Sequence, residues 1–126
     1  TRAISHSEDF VALCQKAKKL VDEIEAEDVL NCSDQSDIFI IDVRDRDEIE
    51  KQGYLSGAYH ISKGWIEAQI HLVVENKNSK IMLYCGSGKR SLLAALSLQN
   101  MGYQNVKSMK GGFKGWKQKA FPVSVL

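Results

Sequence analysis

Short apolar segments alternate with longer amphipathic segments along most of the chain. Residues 38–43 are almost continuously apolar and rich in β-branched side chains, which is typical of a strand buried on both faces of a parallel sheet. Shorter segments predict further strands over residues 58–61, 81–84 and 106–109. Helices are predicted over residues 27–32, 45–53, 65–75, 92–101 and 113–120. Because strands and helices alternate, the sequence predicts an α/β fold, a single domain whose mostly parallel central sheet carries helices on both faces.

The first two dozen residues have the pattern of an amphipathic helix. Apolar side chains recur at helical intervals at Phe10, Leu13, Cys14, Ala17, Val21 and Ile24. Ser5 and Glu8 stand at the spacing of a capping box, which marks the N-terminus of a helix. We therefore predict an N-terminal helical extension over residues 1–23, packed against a domain that comprises residues 24–126.

The composition agrees with one globular unit. The 126 residues are 44% hydrophobic and 26% charged, so the chain is able to bury one sizeable core. The formal net charge is +1, which gives no global field that would attract nucleic acid or a membrane surface. No apolar run approaches the ~20 residues of a membrane span. Neither nucleic acid nor a membrane is therefore an expected partner, and the sequence leaves the oligomeric state open.

The three cysteines, Cys14, Cys32 and Cys85, are too few for a disulfide framework and odd in number. A reducing compartment is the simpler interpretation, so we expect a cytoplasmic location, with a periplasmic location as the alternative if a leader preceded Thr1. Cys14 and Cys32 are interpreted as small core residues. The three histidines lack metal-ligand spacing with any cysteine, so no metal site is expected.

Cys85 stands between a predicted strand and a predicted helix, in the segment Cys-Gly-Ser-Gly-Lys-Arg-Ser at residues 85–91. Two glycines let the chain curl so that backbone N–H groups point at the sulfur, and the helix N-terminus adds partial positive charge. Two cations, Lys89 and Arg90, close the segment. Because a cysteine in such surroundings ionises more readily than a free one, Cys85 is predicted to be a reactive thiolate.

The segment resembles the active-site loop of the rhodanese family of sulfurtransferases, in which a cysteine opens a six-residue loop, here Cys85 to Arg90. Three further motifs resemble those of the family and stand in the same order: Asp-Val-Arg at residues 42–44, Gly-Tyr-Leu-Ser-Gly-Ala at residues 53–58 and Gly-Gly-Phe-Lys-Gly-Trp at residues 111–116. Tyr54 and Ser56 stand where the family usually has His and Pro. The resemblance covers residues 24–122 and implies a single rhodanese-like domain.

The resemblance also implies a two-step transfer of a sulfane sulfur, with Cys85 as the nucleophile. The thiolate attacks the outer sulfur of the donor, keeps it as a persulfide and passes it to cyanide, a small thiol or a protein cysteine. This chemistry needs no metal and no organic cofactor. The residues whose backbone and side chains would hold the donor and the persulfide are Gly86, Ser87, Gly88, Lys89, Arg90 and Ser91.

Cations at the carboxyl ends of the strands are expected to form a rim around the loop. Ligands of a parallel sheet bind at this edge, and Arg44 and Lys63 follow predicted strands there, near Lys89 and Arg90. Their combined charge suits a small anionic donor such as thiosulfate, polysulfide or mercaptopyruvate. Asp42, at the end of the strand that precedes Arg44, is expected to cap backbone N–H groups rather than to catalyse.

Two other classes of function compete with this interpretation. Cysteine phosphatases and arsenate reductases use a loop whose arginine stands six residues after the cysteine, whereas Arg90 stands five residues after Cys85. A loop shorter by one residue favours a single sulfur atom over a tetrahedral oxyanion. The second alternative is a non-enzymatic rhodanese-like binding module, which in the family typically lacks the cysteine. The presence of Cys85 in a cationic loop argues against that module.

Overall fold

A computed structural model of the chain describes residues 6–32 and 38–126. Within these two ranges, the central sheet has five strands, β1 (Asp22–Ile24), β2 (Ile38–Asp42), β3 (Tyr59–His60), β4 (Lys80–Tyr84) and β5 (Asn105–Met109). The strands lie in the order β1-β5-β4-β2-β3, and each neighbouring pair is parallel. The strand that precedes Cys85, β4, is therefore the central strand.

Six α-helices of the described residues surround the sheet: α1 (Glu8–Leu20), α2 (Ala26–Cys32), α3 (Arg46–Gln52), α4 (Ile66–Gln69), α5 (Lys89–Asn100) and α6 (Gly112–Gln118). Buried residues of α1, α4 and α5 pack on one face of the sheet, and those of α2 and α6 pack on the other. The predicted α/β fold, a single domain with a parallel sheet covered on both faces, is confirmed. Within the described residues, every helix is too short or too polar to cross a lipid bilayer.

Side chains of β4 alternate between the two faces, as strand geometry requires. Ile81 and Leu83 belong to the core under α1, α4 and α5, whereas Met82 and Tyr84 belong to the core under α2 and α6. Cys85 continues this alternation beyond the strand end and joins the first core. The sulfur therefore lies on the face of the sheet that α1 and α5 cover.

The N-terminal helix has a different cap from the predicted one. Ser7 is the N-cap, and its hydroxyl accepts a hydrogen bond of 3.1 Å from the amide of Phe10; Ser5 lies outside the described residues. The prediction missed β1, which pairs with β5 at the edge of the sheet. This strand has only three residues, two of them acidic, so neither its length nor its composition marks it. It straddles the predicted boundary between residues 23 and 24.

Two predicted helices also differ from the structure. The helix after Cys85 begins at Lys89 instead of residue 92, because Gly88 adopts φ 93° and starts it at once. The helix predicted over residues 65–75 is divided into α4 and two flanking 3₁₀ turns, Lys63–Trp65 and Ile70–Leu72. No glycine or proline lies within residues 65–75 to mark these breaks.

Candidate active site

The sulfur of Cys85 is held directly by the first turn of α5. Its Sγ accepts hydrogen bonds from the amide of Gly88, at 3.1 Å, and from the amide of Ser91, at 3.3 Å. These amides belong to the N-cap and to the third residue of the helix, which have no carbonyl partner inside a helix. The helix N-terminus thus directs hydrogen-bond donors and partial positive charge at the sulfur, as the sequence predicts.

Two buried hydroxyl groups extend this contact. Cys85 Sγ lies 3.5 Å from Ser91 Oγ, and Ser91 Oγ lies 2.7 Å from Ser108 Oγ. A thiol donates to Ser91 in this arrangement, whereas a thiolate accepts from it once the Ser91 hydroxyl turns and Ser108 donates to Ser91 in its place. Ser108 is a residue of the site that the sequence motifs do not mark. The signal it offers is its position two residues after the buried Val106, on the inward face of a strand in which Asn105 and Lys107 are exposed.

The N-terminus of α6 fixes the opposite side of the loop. The carbonyls of Cys85 and Gly86 accept hydrogen bonds from the amides of Phe113, at 2.7 Å, and Lys114, at 3.0 Å. Gly112 makes this approach possible, since it has φ 59° and a Cβ on it would lie 2.6 Å from the Cys85 carbonyl oxygen. The loop is therefore held with its first carbonyls towards α6, and the Gly-Gly pair that resembles the family's closing motif is part of the site.

Arg90 forms an ion pair with Glu48 that the sequence motifs do not mark. Its two terminal nitrogens donate to the two carboxylate oxygens of Glu48, at 2.7 and 2.9 Å. The hydrogen bonds from Arg90 hold the pKa of Glu48 below its ordinary value, and Glu48 in turn raises the pKa of Arg90. The sequence signal for this contact is a Glu at the third position of an acidic helix, opposite a cationic loop.

The other two cations of the predicted rim, Lys89 and Lys63, lie in different surroundings. Lys89 Nζ lies 3.3 Å from Nδ1 of His6, beside the N-terminus of α1. Lys63 is exposed in the 3₁₀ turn after β3, and its amide donates to the carbonyl of Val43 at the end of β2. Lys63 is at the predicted edge of the sheet, but it does not line the groove over the loop.

Arg44 is not part of a rim, so that prediction is wrong. Its side chain is fully buried, donates to both carboxylate oxygens of Asp42 and reaches the carbonyl of Gly53 at 2.6 Å. The guanidinium lies 4.1 Å from the ring centre of Phe113 and 5.5 Å from that of Tyr84. The alternation that turns Tyr84 towards α6 also turns Asp42 and Arg44 inward. Asp42 accepts a hydrogen bond from the Arg44 amide at 2.9 Å, which is the capping role predicted for it.

A groove of about 1080 Å³ runs over the outer side of the loop. Its walls come from His6, Ser7 and Phe10 around the start of α1, from Asp45, Glu48 and Gln52, from Gly86, Ser87, Lys89 and Arg90 of the loop, and from α6. Cys85 lies beneath this surface, because its side chain is fully buried. The groove therefore reaches the outer residues of the loop and not the sulfur itself.

Cys14 lies near the same loop from the side of α1. Its Sγ is 3.9 Å from the carbonyl oxygen of Lys89. Burial is the main cause of a raised pKa for this thiol, against which the nearby charge of Lys89 acts. Cys14 is therefore a weaker candidate for a nucleophile at neutral pH. No group of His, Cys, Asp and Glu side chains within residues 6–32 and 38–126 has an arrangement that could hold a metal ion.

Comparisons with known proteins agree with this geometry. The thiosulfate sulfurtransferase GlpE of Coxiella burnetii is 35% identical over 81 residues, which are 64% of this chain and 73% of GlpE. A sulfurtransferase of Allochromatium vinosum is 28% identical over 105 residues, which are 82% of this chain and 95% of that protein. The protein YrkF of Bacillus subtilis is 34% identical over 87 residues, and the match is 69% of this chain but only 45% of YrkF.

Solved structures show the same fold. The protein RPA3614 of Rhodopseudomonas palustris, described as a possible tyrosine phosphatase, superposes with a TM-score of 0.84 at 28% identity, covering 98% of both chains. The polysulfide-sulfur transferase homodimer of Wolinella succinogenes superposes with a TM-score of 0.80 at 24% identity, covering 94% of this chain and 88% of its own. The family model described as the rhodanese-like domain matches residues 16–119. The chain therefore belongs to the rhodanese-like domain family.

Proposed function

We propose that this protein is a sulfurtransferase that carries a sulfane sulfur as a persulfide on Cys85. The observation that carries the proposal is the set of polar groups around one sulfur: two backbone amides donate to it at 3.1 and 3.3 Å, and the Ser91 hydroxyl lies at 3.5 Å, where it donates to a thiolate once it turns. Such donors stabilise negative charge on the sulfur before and after it receives the transferred atom. The names of the relatives from Coxiella burnetii and Allochromatium vinosum support the same reaction class.

In the first half-reaction the Cys85 thiolate attacks the outer sulfur of the donor. With thiosulfate, the bond between the two donor sulfurs breaks, its electron pair leaves with sulfite, and a bond forms between Cys85 Sγ and the outer sulfur. Three negative charges enter this step, one on the thiolate and two on thiosulfate, and three leave it, one on the persulfide and two on sulfite. The first turn of α5 supplies the compensating partial charge.

In the second half-reaction an acceptor nucleophile takes the outer sulfur. Cyanide gives thiocyanate, and a thiolate gives a new persulfide, and in either case the electron pair of the breaking bond returns to Cys85. The enzyme therefore alternates between a thiolate form and a persulfide form, which predicts ping-pong kinetics. The groove has room for small anionic donors and for a larger acceptor such as a protein cysteine on a flexible segment.

The similarity to RPA3614, which is described as a possible tyrosine phosphatase, makes phosphatase activity the alternative to consider. A phosphatase needs its loop arginine to hold two oxygens of the substrate, but here both terminal nitrogens of Arg90 are bound to Glu48. The non-enzymatic module is disfavoured by Cys85, whose sulfur is oriented by amides in a way that a core cysteine does not require.

The proposal is tested by intact mass of the purified protein after treatment with thiosulfate or polysulfide. We expect one added sulfur atom on Cys85, lost on adding cyanide, and no added sulfur in Cys85→Ser. Cys14→Ser is the matched control and should load normally. An added sulfur on Cys14, or hydrolysis of an aryl phosphate without any sulfur loading, would contradict the proposal.

A further inference from the structure

Glu48 is placed to control the charge of the donor site. Both of its carboxylate oxygens bind Arg90, and its Oε1 also accepts from the amide of Asp45 at 3.3 Å, within the capping box of α3. The carboxylate is thus anchored to its own helix and is only partly exposed. An anchored carboxylate keeps its position when a ligand enters, unlike a mobile surface charge.

The ion pair lies directly beside the reactive loop. A Cβ built on Gly86 would lie 3.1 Å from Nη2 of Arg90 and 3.7 Å from Oε2 of Glu48. Gly86 follows Cys85 in the chain, so the pair lies against the loop and lines the groove above it. Any donor that approaches the sulfur through this groove passes both charges.

The local sum of charges is smaller than the sequence indicates. Arg90 is compensated by the Glu48 carboxylate in direct contact, and Asp45 lies near enough to act on Arg90 as well. The remaining cations of the groove are Lys89, which contacts His6, and two lysines on α6. Close to the loop, then, the guanidinium offers little uncompensated positive charge to an anion.

We propose that Glu48 determines donor specificity: by neutralising Arg90 beside the loop, it favours sulfane donors with one negative charge over donors with two. The inference rests on the proposed sulfurtransferase activity. It assigns Glu48 as a specificity-determining residue, and it names the substrate class as monoanionic sulfane compounds, such as thiosulfonates and organic persulfides.

A matched pair of donors tests this directly. Thiosulfate and methanethiosulfonate have nearly the same shape, but a methyl group replaces one charged oxygen, so the charges are −2 and −1. Methanethiosulfonate passes its outer sulfur to Cys85 and leaves as methanesulfinate, with the electron pair of the broken S–S bond. The measurement is kcat/KM for each donor, with cyanide as acceptor. The ratio of kcat/KM for thiosulfate to kcat/KM for methanethiosulfonate cancels effects that are common to both donors.

In Glu48→Gln we expect this ratio to rise about fivefold, because an additional donor charge gains from the uncovered guanidinium. Glutamine retains the capping contact of the third helix position, so α3 should remain folded. Glu48→Asp keeps the charge and should keep a ratio close to that of the wild type, even if its absolute rates fall. Glu50→Gln removes the same charge from the same helix at an exposed pair with Arg46 and should leave the ratio unchanged.

The outcomes separate the two proposals. If wild-type Cys85 loads no sulfur from either donor, the proposed function fails, and this inference fails with it. If both donors load Cys85 but Glu48→Gln leaves the ratio unchanged, or Glu50→Gln raises it equally, only the role of Glu48 is overturned.

Discussion

The reactive sulfur depends on contacts that single atoms of nearby residues supply. Two backbone amides cannot be removed by ordinary substitution, but the hydroxyl of Ser91 can, and Ser108 stands behind it at 2.7 Å. Both serines are fully buried; the Ser91 hydroxyl contacts the sulfur, and the Ser108 hydroxyl contacts that of Ser91. A buried polar chain of this kind is retained only if its members satisfy one another.

Ser91→Ala should slow the formation of the Cys85 persulfide. A hydrogen bond to a charged group contributes roughly 1.5–3 kcal/mol, which corresponds to about one to two decades in rate where the charge is stabilised in the transition state. Single-turnover release of sulfite from thiosulfate measures the effect. Ser108→Ala leaves the sulfur with all of its direct partners, so it should slow persulfide formation much less than Ser91→Ala does. Equal losses in the two variants would show that packing, and not the hydrogen bond to sulfur, governs the rate.

At the scale of secondary structure, the N-termini of two helices contact the loop and bind different groups of it. The N-terminus of α5 directs amides at the sulfur, and that of α6 binds the carbonyls of Cys85 and Gly86. The two contacts together orient the peptide groups of the loop. Gly112 is the point at which α6 comes closest, and its left-handed φ of 59° makes it intolerant of a side chain.

Gly112→Ala should therefore lower both stability and activity. The strained backbone and a Cβ at 2.6 Å from the Cys85 carbonyl oxygen should lower the free energy of unfolding by about 2 kcal/mol or more. The displaced loop should also slow sulfur transfer. Urea unfolding and thiosulfate kinetics measure the two effects. In Gly115→Ala, in the same helix, the added Cβ has no atom within 4 Å. This variant should keep its activity, and its free energy of unfolding should rise by up to about 1 kcal/mol. Normal kinetics in folded Gly112→Ala would show that α6 does not set the loop geometry.

At the scale of the whole molecule, sequence alone predicted more of the order of elements than of their contacts. The strand of residues 38–43 and the loop at Cys85 were identifiable because their patterns are local. The Glu48–Arg90 pair spans 42 residues of sequence, and the inward direction of Arg44 depends on which face β2 turns to α6. Both the ion pair and the direction of the Arg44 side chain are determined by tertiary packing, which local sequence patterns do not show. The start of α5 differs for a local reason: Gly88 adopts φ 93°, which places Lys89 and Arg90 in the first helical turn.

Arg44 connects distant parts of the fold from inside the core. It binds Asp42 at the end of β2 and the carbonyl of Gly53 after α3, and it stacks on Phe113 of α6. One of its terminal nitrogens, Nη1, has no hydrogen-bond partner within the described residues and relies on the aromatic rings beside the guanidinium. The side chain thereby joins a strand, a turn and the helix that holds the active loop.

Arg44→Ala should destabilise the protein by about 3–5 kcal/mol, because it leaves the buried Asp42 carboxylate without its ionic partner. Asp42→Asn in the same chain should recover part of this loss, since a neutral amide is less costly to bury. Urea unfolding of the two single variants and the double variant measures the coupling between the residues. A residue of a cationic rim would behave differently: its loss would raise KM for anionic donors and leave the free energy of unfolding almost unchanged. That second result would return Arg44 to the donor site and contradict its structural role.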